Sequence, residues 1–433
     1  MAKARILIAG GGLVGLYTAL RLERELQPGE AQVTLVNPEN FMLYQSLLPE
    51  VASGMIEPRH VVVPLRRVLR RSGVLTGRMT ALDHPRRTAT ISPIEGEEYQ
   101  LGYEHVVIAL GGMARVPPIP GLAEVGIGFQ TLAEALHLRN HVLTRLEAAE
   151  ATADLAARRR ALTFVFVGGG YSGVEAIGEL QDLAADAARL FPHVTAEGMR
   201  WVLVEMTDRL MQSVDPRLAG HALNQLRARG VEVHLQTKLE SAEGGHVQLS
   251  DGTKLDTDTL VWVAGIRPVR LLAHLGLPLD EMGRLIVDSC LRVRDQVGAW
   301  SAGDCAAVPD IVRGGFCPPS GQYAVREGRH LARNLLATLR GQQPKPFRYR
   351  KLGEVVSLGR HQGVAQILGV RLRGFPAWTA RRFYHIGRIP SLNRKLRVWL
   401  DWTVALGFER DIVSLGSQQQ PFAPFRAAAD RAD

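Results

Sequence analysis

Cysteine is nearly absent: only Cys290, Cys305 and Cys317 occur, all in the last third of the chain. That excludes the even-numbered disulfide framework of small secreted proteins, and the spacings do not suit zinc. No metal site is expected, and a reduced, cytosolic setting fits. Because no thiol precedes Cys290, chemistry by an N-terminal dithiol or an early catalytic cysteine is excluded too. Long apolar runs are also missing. No stretch reaches the roughly 18 residues that a membrane-spanning helix needs. Lysine is scarce, six among 52 Lys and Arg, so the net charge of +9 is an arginine charge. Such an excess suits nucleic acid, an anionic membrane or acidic substrates, and its location decides among them. The run from Ile6 to Leu20 resembles a signal peptide, but its glycines follow a nucleotide-binding pattern and no small-residue cleavage site comes after it.

What is present is an ordinary folded composition, 46% hydrophobic and 22% charged over 433 residues. That length exceeds what one core sustains, so two or three domains are expected. Arg5 to Ala9 reads as a buried strand, Gly10 to Gly15 as a turn, Leu16 to Leu26 as a helix and Val33 to Val36 as the next strand. The order returns as strand Leu162–Val167, turn Gly168–Gly173, helix Val174–Ala187 and strand Trp201–Val204. Two such units in one chain predict an α/β fold with two Rossmann-like dinucleotide-binding domains. Tyr103–Leu110 and Leu260–Ala264 read as the closing strands of the two units. The proline-rich stretch from Met113 to Gly121 reads as a hinge. The expected division is 1–118 with 285–346 for the first nucleotide, 119–284 for the second, and 347–433 as a separate C-terminal region; 418–433 are expected to fray.

The first loop, Gly10-Gly11-Gly12-Leu13-Val14-Gly15, fits G-x-G-x-x-G between strand and helix. Gly10 permits the tight turn, Gly12 lets a pyrophosphate approach the backbone, and Gly15 allows close helix–strand packing, with the helix N-terminus facing the phosphates. The acceptor for a ribose hydroxyl at the end of the following strand is Asn37, an amide where a carboxylate is usual. Glu39 is an alternative acceptor, and Asn37 also reads as a plain turn residue before Pro38. The second loop, Gly168-Gly169-Gly170-Tyr171-Ser172-Gly173, is followed by a strand ending at Glu205. A carboxylate there accepts from a free 2′-hydroxyl and repels a 2′-phosphate, which favours NADH over NADPH; a solvated surface Glu is the other reading. Gly303-Asp304, after a third strand, suits the ribityl or phosphate region of a flavin.

With these motifs in place, the chain resembles the two-dinucleotide-binding-domain flavoproteins, and within them the type II NADH dehydrogenases (NADH:quinone oxidoreductases), from Arg5 to about Gly416. The carriers are Val33 to Asn37, and Leu47-Leu48-Pro49-Glu50-Val51-Ala52-Ser53-Gly54, similar to the family's PLLYQVATG. Gly168 to Glu175 is similar to GGGPTGVE, and Val261 to Gly265 and Ala302 to Cys305 also match. Gly321 to Gly328 is similar to AQxAxQxG, kept at Gln322, Ala324 and Gly328 and altered at Gly321 and Arg326. The resemblance implies bound FAD held by Gly10, Gly12, Leu13, Val14, Gly15, Asn37, Ser46, Ala109, Gly111, Gly303, Asp304 and Gln322. It implies NADH held by Gly168, Gly170, Tyr171, Ser172, Gly173, Glu175, Glu205, Ala264 and Gly265. Glu175 and Gln322 are then the catalytic candidates: Glu175 beside nicotinamide and flavin, Gln322 beside flavin and quinone. Read without the resemblance, Glu175 is a first-turn residue favouring the helix dipole, and 321–328 is an amphipathic helix packed on a sheet.

Between Arg371 and Arg410 lie nine Arg or Lys and two Asp or Glu, interleaved with Phe375, Trp378, Phe383, Tyr384, Trp399, Trp402 and Phe408. Ser391 is placed to cap a helix whose Leu392, Leu396, Trp399, Leu400 and Thr403 share one face, with Arg394, Lys395 and Arg397 off it. This pattern predicts a C-terminal amphipathic region that lies on an anionic membrane surface through residues 375–410; docking onto the protein's own core or a dimer partner is the alternative. The expected protein is a non-proton-pumping FAD enzyme passing a hydride from NADH to FAD and electrons to a membrane quinone, menaquinone or ubiquinone. It is expected to be a homodimer, peripheral at the cytoplasmic face of the cell membrane, without nucleic acid as partner. A soluble NAD(P)H-dependent reductase of a ferredoxin-like acceptor and a redox-sensing nucleotide-binding protein are the rival readings.

Overall fold

The computed structural model describes residues 3–349 and 353–414; the stretch expected to fray lies outside them. The chain forms two compact units: Met1–Tyr44, Val62–Arg115 and Ile266–Lys351 make the first, and Gln45–Val61, Val116–Gly265 and Leu352–Asp433 the second.

In the first unit, Ala299–Ser301, His105–Ile108, Ala4–Ala9, Ala31–Asn37 and Gly73–Asp83 run parallel in that spatial order. Thr88–Pro93 and Tyr99–Gly102 extend the sheet antiparallel. The parallel strands are near-continuous apolar runs, as expected of strands buried on both faces; Ile6, Ile8, Val106 and Val107 are almost fully buried. Ala4–Ala9 has the next strand in sequence on one side and His105–Ile108 on the other. The chain therefore reverses direction across the sheet at its carboxyl end, where open α/β sheets bind ligands. Helix Leu13–Glu25 follows there, and helix Gly321–Leu339 lies against it. Gly328 makes that approach possible: a Cβ on it would meet the Val14 carbonyl oxygen at 2.5 Å, and Thr18 Oγ1 donates to the Gly328 carbonyl at 3.0 Å.

The second unit repeats the plan with five parallel strands, in the order Gly126–Ile127, Thr259–Trp262, Thr163–Val167, Arg200–Val204 and Val231–His234. A meander, Leu239–Ser241, His246–Leu249 and Lys254–Asp256, supplies Leu239, Val247, Leu249 and Leu255 to the core over Val165, Val202 and Leu260. Helix Leu132–Ala151 begins at a complete capping box between Thr131 and Glu134. Where an aromatic tail was expected from 347, the chain first builds another antiparallel sheet, Gly353–Ser357, Gly363–Ile367 and Val370–Arg373. Helices Gly374–Arg388 and Leu392–Gly407 follow.

The two units divide at 115 and 265, against the expected 118 and 284. Gly112–Ala114 and Ile266–Pro268 pair antiparallel, so both connections leave the first unit together, at 115 and 265. The 45–61 excursion and the C-terminal region belong to the second unit rather than standing with the first or alone.

Candidate dinucleotide sites

Both glycine loops have the geometry of anion cradles. Gly10 has φ +106° and a Cβ on it would collide with the Ala109 carbonyl oxygen; one on Gly15 would collide with the Gly10 carbonyl oxygen. At Gly12, by contrast, a side chain would meet nothing within 4 Å. The second loop is built alike: Gly168 has φ +119° and crowds Ala264, Gly173 crowds Gly168, and Gly170 faces open space. Both following helices start without a side-chain cap and without an acidic first turn. Elsewhere Thr131, Asp215 and Ser320 cap helices with their own oxygens. The first-turn N–H groups after Gly12 and Gly170 are thus left for an external acceptor, with the positive dipole end behind them. Leu13 and Val14 open the first of these helices, Tyr171 and Ser172 the second.

Asn37 and Glu205 occupy equivalent places. Asn37 Oδ1 accepts from Gly11 N–H at 2.7 Å, and its Nδ2 donates to the Glu39 and Phe41 carbonyls. Glu205 Oε2 accepts from Gly169 N–H at 2.6 Å, and its other oxygen from the Thr207 N–H and hydroxyl. Each side chain fixes its own loop, a structural duty that holds it at the rim of the cradle. Glu39 itself is exposed.

In the first unit Ala109 is buried, its N–H bonded to the Ala9 carbonyl, and Gly111 takes φ +69°. Gly303, at φ +75°, lies against Val14 and donates its N–H to Glu327 Oε2 at 2.7 Å. Asp304 beside it is raised above the usual carboxylate range by burial. Glu327 is 2% exposed and is pushed up to about 7, mainly by burial, with the Asp304 charge adding and the Gly303 N–H opposing. Gly303, Asp304, Cys317, Tyr323 and Glu327 share the lining of a cavity of about 80 Å³. Cys317 is held as a thiol, its value pushed up to about 12 by burial first and the Glu327 charge next; Cys305 is fully buried. Sequence reasoning missed Glu327. Its signal was a lone carboxylate on the buried stripe Tyr323, Ala324, Glu327, Gly328, Leu331. Gln322 Oε1 accepts from the Tyr349 hydroxyl at 3.2 Å, and Arg326 stacks over the Tyr349 ring at 4.2 Å while donating to the Gln322 carbonyl. Ser46, grouped with the flavin residues by resemblance, belongs to the second unit, where its carbonyl accepts from Arg381.

Glu175 is not the first-turn residue favouring the helix dipole that the sequence also allowed, since helix Tyr171–Ala188 has no acidic residue in its first turn. It is buried, and its Oε1 accepts from Arg381 Nε at 2.6 Å and from Ser357 N–H at 2.8 Å. Arg381 also donates to Glu50 Oε1 at 3.0 Å. Burial alone would depress Arg381, but the Glu175 and Glu50 charges outweigh it and hold the guanidinium above its usual range. Burial pushes Glu50 up to about 7 against the pull of Arg381, and its Oε2 meets no donor among the described residues. His385 is held neutral by burial and by Arg381. Arg410 reaches the same helix, donating to the Glu179 carbonyl and pairing with Glu179, Asp182 and Asp186 at 3.4–3.6 Å. Tyr171 hydrogen-bonds Ser213 at 2.9 Å and Glu354. Ala264 and Gly265 sit where the closing strand ends, against Gly168. Among the described residues no set of His, Cys, Asp or Glu is grouped to hold a metal ion.

The C-terminal helices carry a mixed result. Leu392, Leu396, Trp399 and Leu400 are exposed by 81, 55, 49 and 46%, while Val398 and Trp402 point inward, so the expected apolar face is free. Ser391 stands at the N-cap, but its side chain makes no capping bond, contrary to expectation; only its carbonyl takes part, accepting from Lys395 N–H at 3.0 Å. Three of the nine cations counted there, Arg381, Arg382 and Arg410, are buried. Arg381 and Arg410 pair with interior carboxylates instead of facing the surface. No helix among the described residues is long and apolar enough to cross a membrane.

Residues 4–328 match the pyridine nucleotide-disulphide oxidoreductase family. The chain is 30% identical to the demethylphylloquinone reductase NdbB of Synechocystis, over 93% of this chain and 96% of that one. It is also 30% identical to the type II NADH:quinone oxidoreductase Ndh of Mycobacterium tuberculosis, over 98% and 92%. A solved structure of NDH2 from Plasmodium falciparum with NADH superposes with a TM-score of 0.88 at 17% identity, covering 95% of this chain and 100% of that one. The chain therefore belongs to the pyridine nucleotide-disulphide oxidoreductases and, within them, to the type II NADH:quinone oxidoreductases.

Proposed function

We propose that this chain binds FAD and NADH and oxidises NADH at the expense of a membrane quinone, menaquinone or ubiquinone, without pumping protons. The observation that carries the reading is the pair of uncapped glycine-loop helices, each with an acceptor at the rim of its cradle, in a chain without a redox dithiol. FAD, when bound, supplies the two-electron carrier between nicotinamide and quinone. The residues' share is positioning. The N–H groups after Gly12 and Gly170 take the two pyrophosphates. Asp304 serves the ribityl chain, and Glu205 accepts from the 2′-hydroxyl of NADH. Gln322, steadied by Tyr349, is assigned to the flavin and quinone side. Glu175, clamped by Arg381, orders the nicotinamide without diffusing, and Glu50 Oε2 holds a proton near neutral pH.

The exposed Leu392–Leu400 stripe, with Arg388, Arg394, Lys395 and Arg397 around it, supports a peripheral seat on an anionic bilayer, at the cytoplasmic face. A homodimer is part of the same reading, checked by the mass of the purified holoenzyme. The deciding experiment is anaerobic mixing of the yellow protein with NADH, then with a short-chain quinone. Rapid bleaching followed by quinone-dependent reoxidation is expected. Bleaching without reoxidation by any quinone refutes the acceptor, and a protein that cannot be loaded with FAD refutes the whole reading.

A further inference from the structure

Arg382, in the second unit, is a buried cation whose Nε meets no acceptor among the described residues. It is 8% exposed, yet among the described residues no group accepts a hydrogen bond from it and no carboxylate lies within ion-pair distance. The two other buried arginines of this region have carboxylates within ion-pair distance: Arg381 has Glu175 and Glu50, and Arg410 has Glu179, Asp182 and Asp186. The Arg382 guanidinium instead lies between two indoles, 3.5 Å from the Trp378 ring centre and 5.0 Å from that of Trp402. A second donor there is also unmatched, for Trp402 is 3% exposed and its Nε1 meets no acceptor among the described residues. Buried polar groups are almost always paired, and here both are donors. What they lack is an oxygen acceptor, preferably anionic.

The surroundings select its kind. Arg382 and Trp402 lie on the inner faces of helices Gly374–Arg388 and Leu392–Gly407. The outer face of the second helix is the exposed Leu392, Leu396, Trp399, Leu400 stripe, and Phe383, next to Arg382, is 70% exposed. A helix lying in the interface sinks its apolar face roughly 5–10 Å. With a diameter of about 10 Å, that leaves its inner side at the depth of the lipid phosphates. Burial, with Arg381 and Arg410 adding, outweighs Glu50 and Glu179 and holds the Arg382 guanidinium below its usual range, at about 10, a cost that an anionic partner relieves. We propose that Arg382 and Trp402 form a specific site for the phosphate of a membrane phospholipid, clamped between the two C-terminal helices. The inference rests on the peripheral-membrane reading and adds a defined lipid site to it.

The test uses the full-length holoenzyme. Its thermal unfolding is measured with dihexanoyl-phosphatidylglycerol below its micelle concentration, with inorganic phosphate at the same concentration, and with a short-chain quinone. The phospholipid should raise the melting temperature by on the order of 3–5 °C at about a hundredfold excess over its dissociation constant. Arg382→Met should abolish that shift while leaving flavin reduction by NADH unchanged. Should Arg382→Met fail to fold, Trp402→Phe, which removes the indole N–H and keeps a ring, should weaken the shift. An equal shift in the variants overturns the site, as does a shift reproduced by phosphate alone or an Arg382-dependent shift produced only by quinone. Sedimentation with phosphatidylglycerol vesicles tests the underlying reading separately. A wild type that fails to sediment removes the membrane seat; one that sediments without an Arg382-dependent lipid shift removes only the phosphate site.

Discussion

Glu327→Gln isolates the energetics of the cavity behind Gly303. Burial first, with Asp304 adding, outweighs the Gly303 N–H and pushes the folded carboxyl up to about 7, from the ordinary value of 4.5 that it has when unfolded. The folded form therefore binds more protons than the unfolded form between those values, and stability falls as pH rises through that window. The difference of roughly 2.5 units, at 1.36 kcal/mol each, amounts to about 3 kcal/mol lost once pH exceeds the folded value. Glutamine has nearly the same shape, accepts from Gly303 N–H and carries no charge. The variant should match wild type at about pH 4.5 and exceed it by up to about 3 kcal/mol at about pH 8. Urea unfolding of the holoenzyme, followed by flavin release and circular dichroism at both pH values, measures this. A stability difference that does not change with pH would mean that the carboxyl is ionised throughout, and the reasoning would fall. Glu327→Ala, which orphans the Gly303 N–H, should instead cost about 1–3 kcal/mol at low pH.

Gly12→Val should fold normally and lose its yellow colour, because its Cβ fills the cradle, whereas Gly15→Ala should fail to fold because its Cβ strikes the Gly10 carbonyl; flavin absorbance and circular dichroism separate the two. Glu205→Gln should raise KM for NADH about tenfold and narrow the preference over NADPH, since a charge-assisted acceptor becomes a neutral one; kcat/KM with both coenzymes reads this. Arg410→Met removes one partner of a buried carboxylate cluster and should cost about 3 kcal/mol in thermal unfolding. Paired replacement of Trp399 and Leu400 by Asp should abolish sedimentation with anionic vesicles while NADH oxidation with ferricyanide persists, because both side chains are exposed.

The two nucleotide folds were legible because their signals are local. A buried strand, a glycine turn and an uncapped helix are written within about twenty consecutive residues, and the positive φ of Gly10 and Gly168 is one that glycine adopts without strain. The apolar stripe of the last helix was legible for the same reason, as a 3.6-residue period. What escaped was set by distant partners. The Glu50–Arg381 bond spans 331 residues, and nothing near Glu50 announces that the 45–61 excursion belongs to the second unit. Charge counting failed in the same way. Arg381, Arg382 and Arg410 look like membrane-facing cations beside Trp and Phe, but a carboxylate ladder along helix Tyr171–Ala188, at Glu175, Glu179, Asp182 and Asp186, draws two of them inward. That ladder has the i, i+4, i+7, i+11 spacing of one helix face. An acidic stripe on a helix otherwise apolar enough to be buried is itself a sequence-level demand for buried arginines. Once Arg381 and Arg410 have met it, Arg382 is the cation that no carboxylate claims.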